Sequence, residues 1–589
     1  MKKYSPLAFL FSLLFAVSAY AGEGRYTLPL TGGGWSLWLD KEASWQNDRL
    51  YLPHEITDLS LLPVNTPTGG WQALNDNLDA VSVEVPGTVE EYLTTSDNPR
   101  PEDFKGVSWW YRKITIPADQ ANKRHLIYFE SVRMRAEVYL DGKLVAYDLI
   151  GETPFHVDIT KEAKPGTEQL LAVRVTNPGG NFHWQDFDIQ KWGEYNIPPA
   201  RSFSGIIGRV KLESVNPVFI SDIYMQNTPE PTKVNAIISF TNETPSSVKQ
   251  DVELTVSEKN RPDKVVFRQL LKHVSFPPGK REMMIPVSVS DAKLWDLDTP
   301  ELYTCNIQIK KGKNTLDRDK KNFGFRWFSA EGVGTDAVLR LNGRRVMLRS
   351  AISWGYFPVT GLIATPEMAE KQVLTAKKLG LNMLNFHRCI GSPVVLEKTD
   401  ELGLLYYEEP GSFHSANHDP FIRTIVNEKL KRMVHRDRSH PSLIIFNLIN
   451  EFGGPLSRDK ELVAKRMNDM REAHAVDPGR IMTFTSGWAG SEDREEDSKS
   501  HMLPFDTTLY RKGWFDNHRA GGPETYVESY YKGPKDNIMY TTNRKEIYVR
   551  GEEGAISTPP RIQMIYNQIS NSGKTGWDGL FWKSQYKAF

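Results

Sequence analysis

The chain has 589 residues, which is long enough for several domains with sizeable cores. Its 73 Lys and Arg residues balance its 73 Asp and Glu residues, so the protein has no net field that would hold a nucleic acid or an anionic membrane. Its 15 Trp and 23 Tyr residues suit stacking against sugar rings, but they are equally ordinary in the cores of β-sandwiches.

The N-terminus has the pattern of a secretory signal. Lys2 and Lys3 precede an apolar run over residues 7–17, and Ala19-Tyr20-Ala21 supplies a small-x-small cleavage site. We therefore predict a signal peptide over residues 1–21 and a periplasmic location. No later run reaches the roughly 20 apolar residues that a membrane-spanning helix requires, so no membrane span is expected.

Residues 22–215 contain many short runs with the period-two alternation of β-strands, and they predict a jelly-roll sandwich. Asp141-Gly142 between two such runs is a hairpin signal. Residues 181–188 have no strand period and contain Trp184 and Asp186. These two side chains fit a sugar-binding loop, or equally an interdomain contact.

Residues 216–328 contain further alternating strands over roughly the length of an immunoglobulin domain. They predict an immunoglobulin-like sandwich. Nothing in this segment indicates chemistry, so its expected role is to fix the geometry of its neighbours.

Residues 329–589 alternate between strand and helix patterns, which indicates a parallel sheet and predicts a (β/α)8 TIM barrel. The predicted strands, in chain order, are Arg345–Ala351, Asn382–His387, Leu404–Glu408, Ser442–Ile449, Ile481–Thr485, Met502–Phe505 and Ile547–Val549. The predicted helices are Pro366–Leu379, Pro393–Leu402, Pro420–Asp437, Asp459–Val476 and Thr558–Ser570.

Asn450-Glu451 directly follows the fourth predicted strand, and Glu552-Glu553 comes shortly after the seventh. Glu451 and Glu552 are 101 residues apart, and three βα units of a barrel of roughly 250 residues span about 94. The two carboxylates would therefore face each other across the barrel mouth, as the two acids of a glycosidase must. A strand-end Glu in a salt bridge is the alternative for Glu451 taken alone.

Other polar and aromatic side chains follow the predicted strands, where a barrel carries its site. We expect substrate contacts from Trp354, His387, Arg388, Asn450, Trp488, His501 and Tyr510, with Trp514, Asp516 and His518 as further candidates. The histidines lack the spacing of metal ligands, such as His-x-x-x-His beside an acid. No metal and no cofactor are expected.

Several ordered motifs resemble glycoside hydrolase family 2, which includes β-galactosidases, β-glucuronidases and β-mannosidases. The resemblance runs through Trp109–Lys113, Ala136–Gly142, Phe203–Val210, Phe323–Arg326, Leu341–Arg349, Lys378–Arg388 and Asp400–Glu409. It implies that Glu451 is the acid/base and Glu552 the nucleophile. It also implies a retaining mechanism, with the two carboxyl groups roughly 5–5.5 Å apart.

The sequence departs from the family pattern in two places. Glu553 stands where an aromatic residue usually follows the nucleophile, which leaves Glu552 and Glu553 as alternatives. Only 37 residues follow Glu552, and Gly573–Phe589 contains no apolar β run. The expected barrel is therefore C-terminally incomplete, without strand eight and with a gap between strands seven and one.

The predicted function is that of an exported, retaining exo-β-glycosidase acting on an oligosaccharide or glycoside. No motif marks a uronic acid, so a neutral hexoside such as a β-galactoside is preferred. The alternative is a non-catalytic carbohydrate-binding remnant, inactivated by the truncation. The sequence indicates no oligomeric state.

Overall fold

In the computed structural model, the chain forms three consecutive units: two β-sandwiches and an α/β barrel domain. The residues it describes are 20–21, 24–76, 79–93, 104–179, 189–198, 203–357, 360–412, 419–453, 456–487, 501–504, 513–516, 518, 545–549, 551 and 561–572.

The first sandwich packs two antiparallel sheets around one apolar core. The five-stranded sheet has the order Tyr20–Ala21, Tyr26–Pro29, Val210–Val215, Arg124–Phe129 and Phe155–Asp158. The six-stranded sheet has the order Val81–Val85, Gly32–Asp40, Gly106–Thr115, Glu168–Asn177, Arg135–Leu140 and Lys143–Asp148. The remaining elements are the hairpin Gln190–Trp192 with Tyr195–Ile197, the short helices Ala73–Asp76 and Val89–Leu93, and the 3-10 turns Pro53–Glu55, Leu59–Leu61 and Ala118–Gln120.

The hairpin predicted at Asp141-Gly142 is confirmed. Leu140 pairs with Lys143, and the two residues between them have positive φ angles of 48° and 81°. This is the backbone that a two-residue hairpin turn requires, and Asp-Gly adopts it at low cost.

The second sandwich also consists of two antiparallel sheets. One contains Val218–Asn227, Lys233–Asn242 and Gly279–Ser288; the other contains Arg261–Phe276, Val248–Glu258, Tyr303–Lys311 and Asn314–Phe323. Near its end, buried Arg326 donates hydrogen bonds to the backbone carbonyls of Pro441 at 3.0 Å and Leu443 at 2.7 Å. These bonds attach the second sandwich to the beginning of the strand that leads to Glu451.

Within its described residues, the barrel domain contains seven strands that pair in parallel. They are β1 Ser350–Ser353, β2 Met383–Phe386, β3 Leu405–Glu408, β4 Leu443–Asn450, β5 Ile481–Ser486, β6 Trp514–Asp516 and β7 Ile547–Val549. Strands β1 to β5 form one sheet in chain order, and β6 pairs with β7. The helices are α1 Pro366–Lys378, α2 Pro393–Leu402, α3 Pro420–Asp437, α4 Lys460–His474 and α5 Ile562–Ser572, with a 3-10 turn at Leu456–Arg458.

The helix starts follow from local capping chemistry. Thr365 and Asp419 precede a proline at the first helical position, and their side chains accept backbone N–H groups of α1 and α3. The Asp459 side chain likewise accepts a backbone N–H group of α4, which begins at Lys460. These signals are short-range, which is why the predicted bounds of these three helices and of Pro393–Leu402 agree with the structure to within about two residues.

Two predicted barrel strands were wrong. Strand one is Ser350–Ser353 and not Arg345–Ala351, because Arg344–Arg345 pairs with Val338–Leu341 in a small antiparallel sheet that also contains Phe328–Glu331. Met502–Leu503 pairs antiparallel with β5 and so does not continue the parallel sheet. The strand that pairs in parallel with β7 is β6, whose three residues are too few to show a period.

The interior of the barrel is apolar at its N-terminal end. Met383, Leu405, Ile445, Ile481 and Trp514 are buried in one cluster, into which the small antiparallel sheet also packs. This packing closes the end of the barrel that is remote from Glu451. The tail Gly573–Phe589, for which no strand eight was predicted, lies outside the described residues, as does the expected gap beside it.

Within the described residues, no helix is both long enough and apolar enough to cross a membrane.

Candidate active site

Glu451 follows the last residue of β4 and turns out of the sheet. Its backbone N–H donates to the carbonyl of Ser486, the last residue of β5, at 2.7 Å. Its φ angle is +50°, a left-handed conformation that costs a non-glycine residue on the order of 1–3 kcal/mol. Its side chain is 14% exposed, so the carboxylate is partly sheltered but reachable from solvent.

The Glu451 carboxylate contacts an imidazole that comes from the end of β6. Oε1 lies 3.0 Å from Nδ1 of His518. The other ring nitrogen of His518, Nε2, lies 3.7 Å from Oδ1 of Asp516. The same Asp516 oxygen accepts a hydrogen bond from the backbone N–H of Gly551 at 2.8 Å. These contacts join the ends of β4, β6 and β7.

Arg388 approaches the other carboxylate oxygen from the end of β2. Its guanidinium lies 4.0 Å from Oε2 of Glu451 and 5.2 Å from the ring centre of Trp354. The Asn450 carboxamide is satisfied when its oxygen accepts from Nε of Arg388 at 3.0 Å and its nitrogen donates to Oγ of Ser486 at 2.8 Å. Arg388 also has a positive φ of 54°. Strained backbone at both Arg388 and Glu451 is characteristic of functional sites.

A buried polar layer lies inside the barrel below these groups. His387 Nδ1 is 3.1 Å from Oε1 of Glu409, whose Oε2 accepts from Nδ2 of Asn447 at 3.1 Å. Thr483 donates to Oδ1 of Asn447 at 2.8 Å. Burial raises the pKa of Tyr407 well above its usual value, and the charges of Glu409 and Asp516 act in the same direction. The phenol therefore stays neutral.

The neighbouring Glu408 belongs to a different environment. Its carboxyl contacts Arg436 of α3 at 3.2 Å and accepts the backbone N–H of Gly391 at 2.8 Å. Burial, and then the nearby Asp437 carboxylate, raises the pKa of Glu408 well above its usual value, although Arg436 opposes this. Since successive strand residues point to opposite faces, Glu409 serves the barrel interior and Glu408 the contact with α3.

The structure brings together seven of the predicted site residues and further candidates, namely Trp354, His387, Arg388, Asn450, Glu451, Asp516 and His518. Trp514 is instead buried in the apolar cluster at the N-terminal end of the barrel. The rings of Trp354 and His387 are in edge contact, with centroids 5.0 Å apart. His501 lies beside β5, where its backbone carbonyl accepts from the N–H of Phe484 at 3.1 Å. The other predicted residues lie outside the described residues; they are Trp184, Asp186, Trp488, Tyr510, Glu552 and Glu553.

Sequence reasoning did not identify Tyr407, Asn447 and Thr483 as parts of the site, and it placed His518 only among general candidates. A signal for the first three does exist. Along β2 to β5 the inward residues change from apolar to polar toward the strand end, as in Ile445 followed by Asn447. A fully buried strand reads as an unbroken apolar run, which hides this change.

Known proteins match the chain over most of its length. Three sequence models match: "Glycosyl hydrolases family 2, sugar binding domain" at residues 73–197, "Glycosyl hydrolases family 2" at 218–326, and "Glycosyl hydrolases family 2, TIM barrel domain" at 336–539. The chain belongs to glycoside hydrolase family 2. The three matches follow the order of the two sandwiches and the barrel.

Relatives within glycoside hydrolase family 2 carry two activity names. A Formosa agariphila protein, provisionally named as a β-glucuronidase, is 25% identical over 91% of this chain and 59% of its own length. A β-galactosidase of Thermoanaerobacter pseudethanolicus is 28% identical over 65% of this chain and 49% of its own. The chain spans about half the length of these curated relatives.

Solved structures share the fold. β-Glucuronidase 2 of Bacteroides uniformis has a TM-score of 0.60 at 20% identity, covering 78% of this chain and 52% of that one. The described residues of this family 2 chain contain no group of three or more His, Cys, Asp or Glu side chains suited to holding a metal ion.

Proposed function

We propose that the chain is a retaining exo-β-glycosidase that removes terminal β-linked sugars. The observation that carries this is the position of Glu451 at the end of β4, with one carboxylate oxygen on His518 and the other facing Arg388. Membership of glycoside hydrolase family 2 makes hydrolysis of a glycosidic bond the reaction class.

In this proposal Glu451 protonates the glycosidic oxygen while the Glu552 carboxylate attacks the anomeric carbon and forms a glycosyl-enzyme ester. The aglycone then leaves as an alcohol. Glu451, now ionised, takes a proton from water as the water attacks the same carbon and releases Glu552. Gly551, the residue before Glu552, donates to Asp516 beside His518, which supports a role for the β7 end in the same site.

For the substrate we propose a β-galactoside, since no uronic acid motif was found in the sequence. A β-glucuronide is the second candidate, because relatives from Formosa agariphila carry the name β-glucuronidase. We also propose export, on the basis of the leader pattern in residues 1–21.

The test is turnover of matched nitrophenyl glycosides by the wild-type chain and by Glu451→Gln. The panel contains the β-galactoside, the β-glucuronide and the β-mannoside, together with the α-galactoside and the α-glucuronide. Turnover of one β-anomer that is slower in Glu451→Gln supports the proposal, whereas equal rates for the two proteins contradict it. Binding of a sugar by calorimetry without turnover would instead support the carbohydrate-binding remnant.

A further inference from the structure

The imidazole of His518 occupies a space that two glycines leave open. A Cβ at Gly487 would lie 2.4 Å from the His518 ring, and a Cβ at Gly551 would lie 2.5 Å from its Nε2. Real Cβ atoms do not approach other atoms so closely. The ring is therefore confined from the β5 side and from the β7 side.

The polar contacts of His518 fix the orientation of this confined ring. Nδ1 faces Oε1 of Glu451 at 3.0 Å, and Nε2 faces Asp516 at 3.7 Å. Asp516 is itself held by the backbone N–H of Gly551. With carboxylates on both sides, the ring presents an N–H toward Glu451.

We propose that His518 is a positioning residue for Glu451, holding Oε1 with an Nδ1–H donor so that the transferable proton resides on Oε2. The proposal rests on the acid/base role proposed for Glu451. An oxygen that already accepts from an imidazole N–H is the poorer site for a proton, so the acid proton goes to the other oxygen. Oε2 is also the oxygen that faces Arg388, whose guanidinium lies over the ring of Trp354.

This arrangement serves both halves of the reaction. When Glu451 is protonated on Oε2, His518 still donates to Oε1. When Glu451 has given up its proton, the same hydrogen bond stabilises the carboxylate until it takes a proton from water. The proton count of His518 does not change in either step.

The experiment compares His518→Ala with His518→Asn on two substrates of the sugar that the panel identifies. One substrate has an activated nitrophenol leaving group and the other an alkyl alcohol, which needs a proton to depart. We expect His518→Ala to lose at least about 10-fold more kcat on the alkyl glycoside than on the aryl glycoside. His518→Asn, whose carboxamide N–H can replace Nδ1–H, should recover most of that difference.

The matched control is His125→Ala in the first sandwich. His125 is also buried, and its Nδ1 lies 2.9 Å from Oγ of Ser214. His125→Ala should lower the melting temperature of the protein without changing the ratio of kcat on the alkyl glycoside to kcat on the aryl glycoside. A ratio for His518→Ala equal to that of His125→Ala would overturn the proposal, because it would reduce His518 to a packing role.

A second readout does not depend on turnover. In one-dimensional proton spectra, the imidazole N–H signal of His518 is identified as the downfield signal that disappears in His518→Asn. This signal should shift in Glu451→Gln. It should not shift in Glu409→Gln, which is the control. An unshifted signal in Glu451→Gln overturns the hydrogen bond itself. If Glu451→Ala loses the same factor in rate on the alkyl and the aryl glycoside, the proposed acid/base role of Glu451 is contradicted. The spectrum still tests the contact between His518 and Glu451 in that case.

Discussion

Oε1 of Glu451 and Nδ1 of His518 are 3.0 Å apart, although the two residues are separated by 67 positions in the chain. The contact connects the end of β4 with the end of β6, which lie in different sheets of the described structure. It therefore depends on the curvature that brings β6 back toward β4. A site of this kind is sensitive to small displacements of strands remote from the chemistry.

Glu451→Ala should show a loss that depends on the leaving group. Without a general acid, an alkyl glycoside should lose roughly 10²- to 10⁴-fold in rate, whereas a nitrophenyl glycoside needs little protonation and should lose less in its first step. Azide should then accelerate the breakdown of the glycosyl-enzyme. Steady-state rates on both substrates, with and without azide, measure this. Equal losses and no azide effect would contradict an acid/base role.

Glu552→Gln should lower kcat by roughly 10⁶-fold, which is the scale of loss when a covalent nucleophile is removed. An activated fluoro-sugar should label Glu552, and mass spectrometry of the digested protein locates the label. Glu553→Gln is the matched control because it removes the adjacent carboxylate. A label on Glu553, or a normal rate for Glu552→Gln, would show that the register is shifted by one residue.

Gly487→Ala should lower the proposed glycosidase activity more than its stability cost explains. Its φ is +77°, so alanine costs about 1–2 kcal/mol of backbone strain, and its Cβ would also displace His518. Gly380 has the same φ of +77° and nothing within 4 Å of its Cβ position. Urea unfolding of Gly380→Ala should therefore measure the cost of the backbone strain alone, and only Gly487→Ala should lose activity. Equal activities would mean that His518 has room to move.

Glu90 should make the folded state less stable as pH rises. Burial raises the pKa of this carboxyl to about 8, against the hydrogen bond from Ser204 N–H and the charge of Arg133. A group whose pKa is raised on folding contributes stability below its unfolded value of about 4.3, and this is lost as pH rises toward 8.

Glu90→Gln removes the ionisable group but keeps an oxygen for the Ser204 N–H. From pH 5 to pH 8, the free energy of unfolding should fall more for the wild-type protein than for Glu90→Gln, as measured by urea titration. Glu168→Gln, at a carboxyl whose side chain is 58% exposed, should track the wild-type protein. If the free energy of unfolding falls equally with pH for the wild-type protein and Glu90→Gln, the ionisation of Glu90 does not cause the loss of stability.

Much of the barrel follows from local signals. The strand Leu443–Asn450 is predictable from an apolar run of the right length, and helices such as Pro393–Leu402 from a proline start and a glycine after the last turn. The strand Trp514–Asp516 was not predicted, because the partner that defines it, Ile547–Val549, is remote in the chain. A β-strand of this length exists only through its pairing.

The sequence by itself determined the family, the three-part architecture and the strand end that carries Glu451, because these depend on short motifs, local periodicity and the spacing of strands. Only the tertiary structure decided which side chains surround that carboxylate. His518, Arg388 and the glycines at 487 and 551 come from four different strand ends. Their meeting depends on the closing curvature of the barrel and on the space left by missing side chains, and neither property is encoded in any single stretch of the chain.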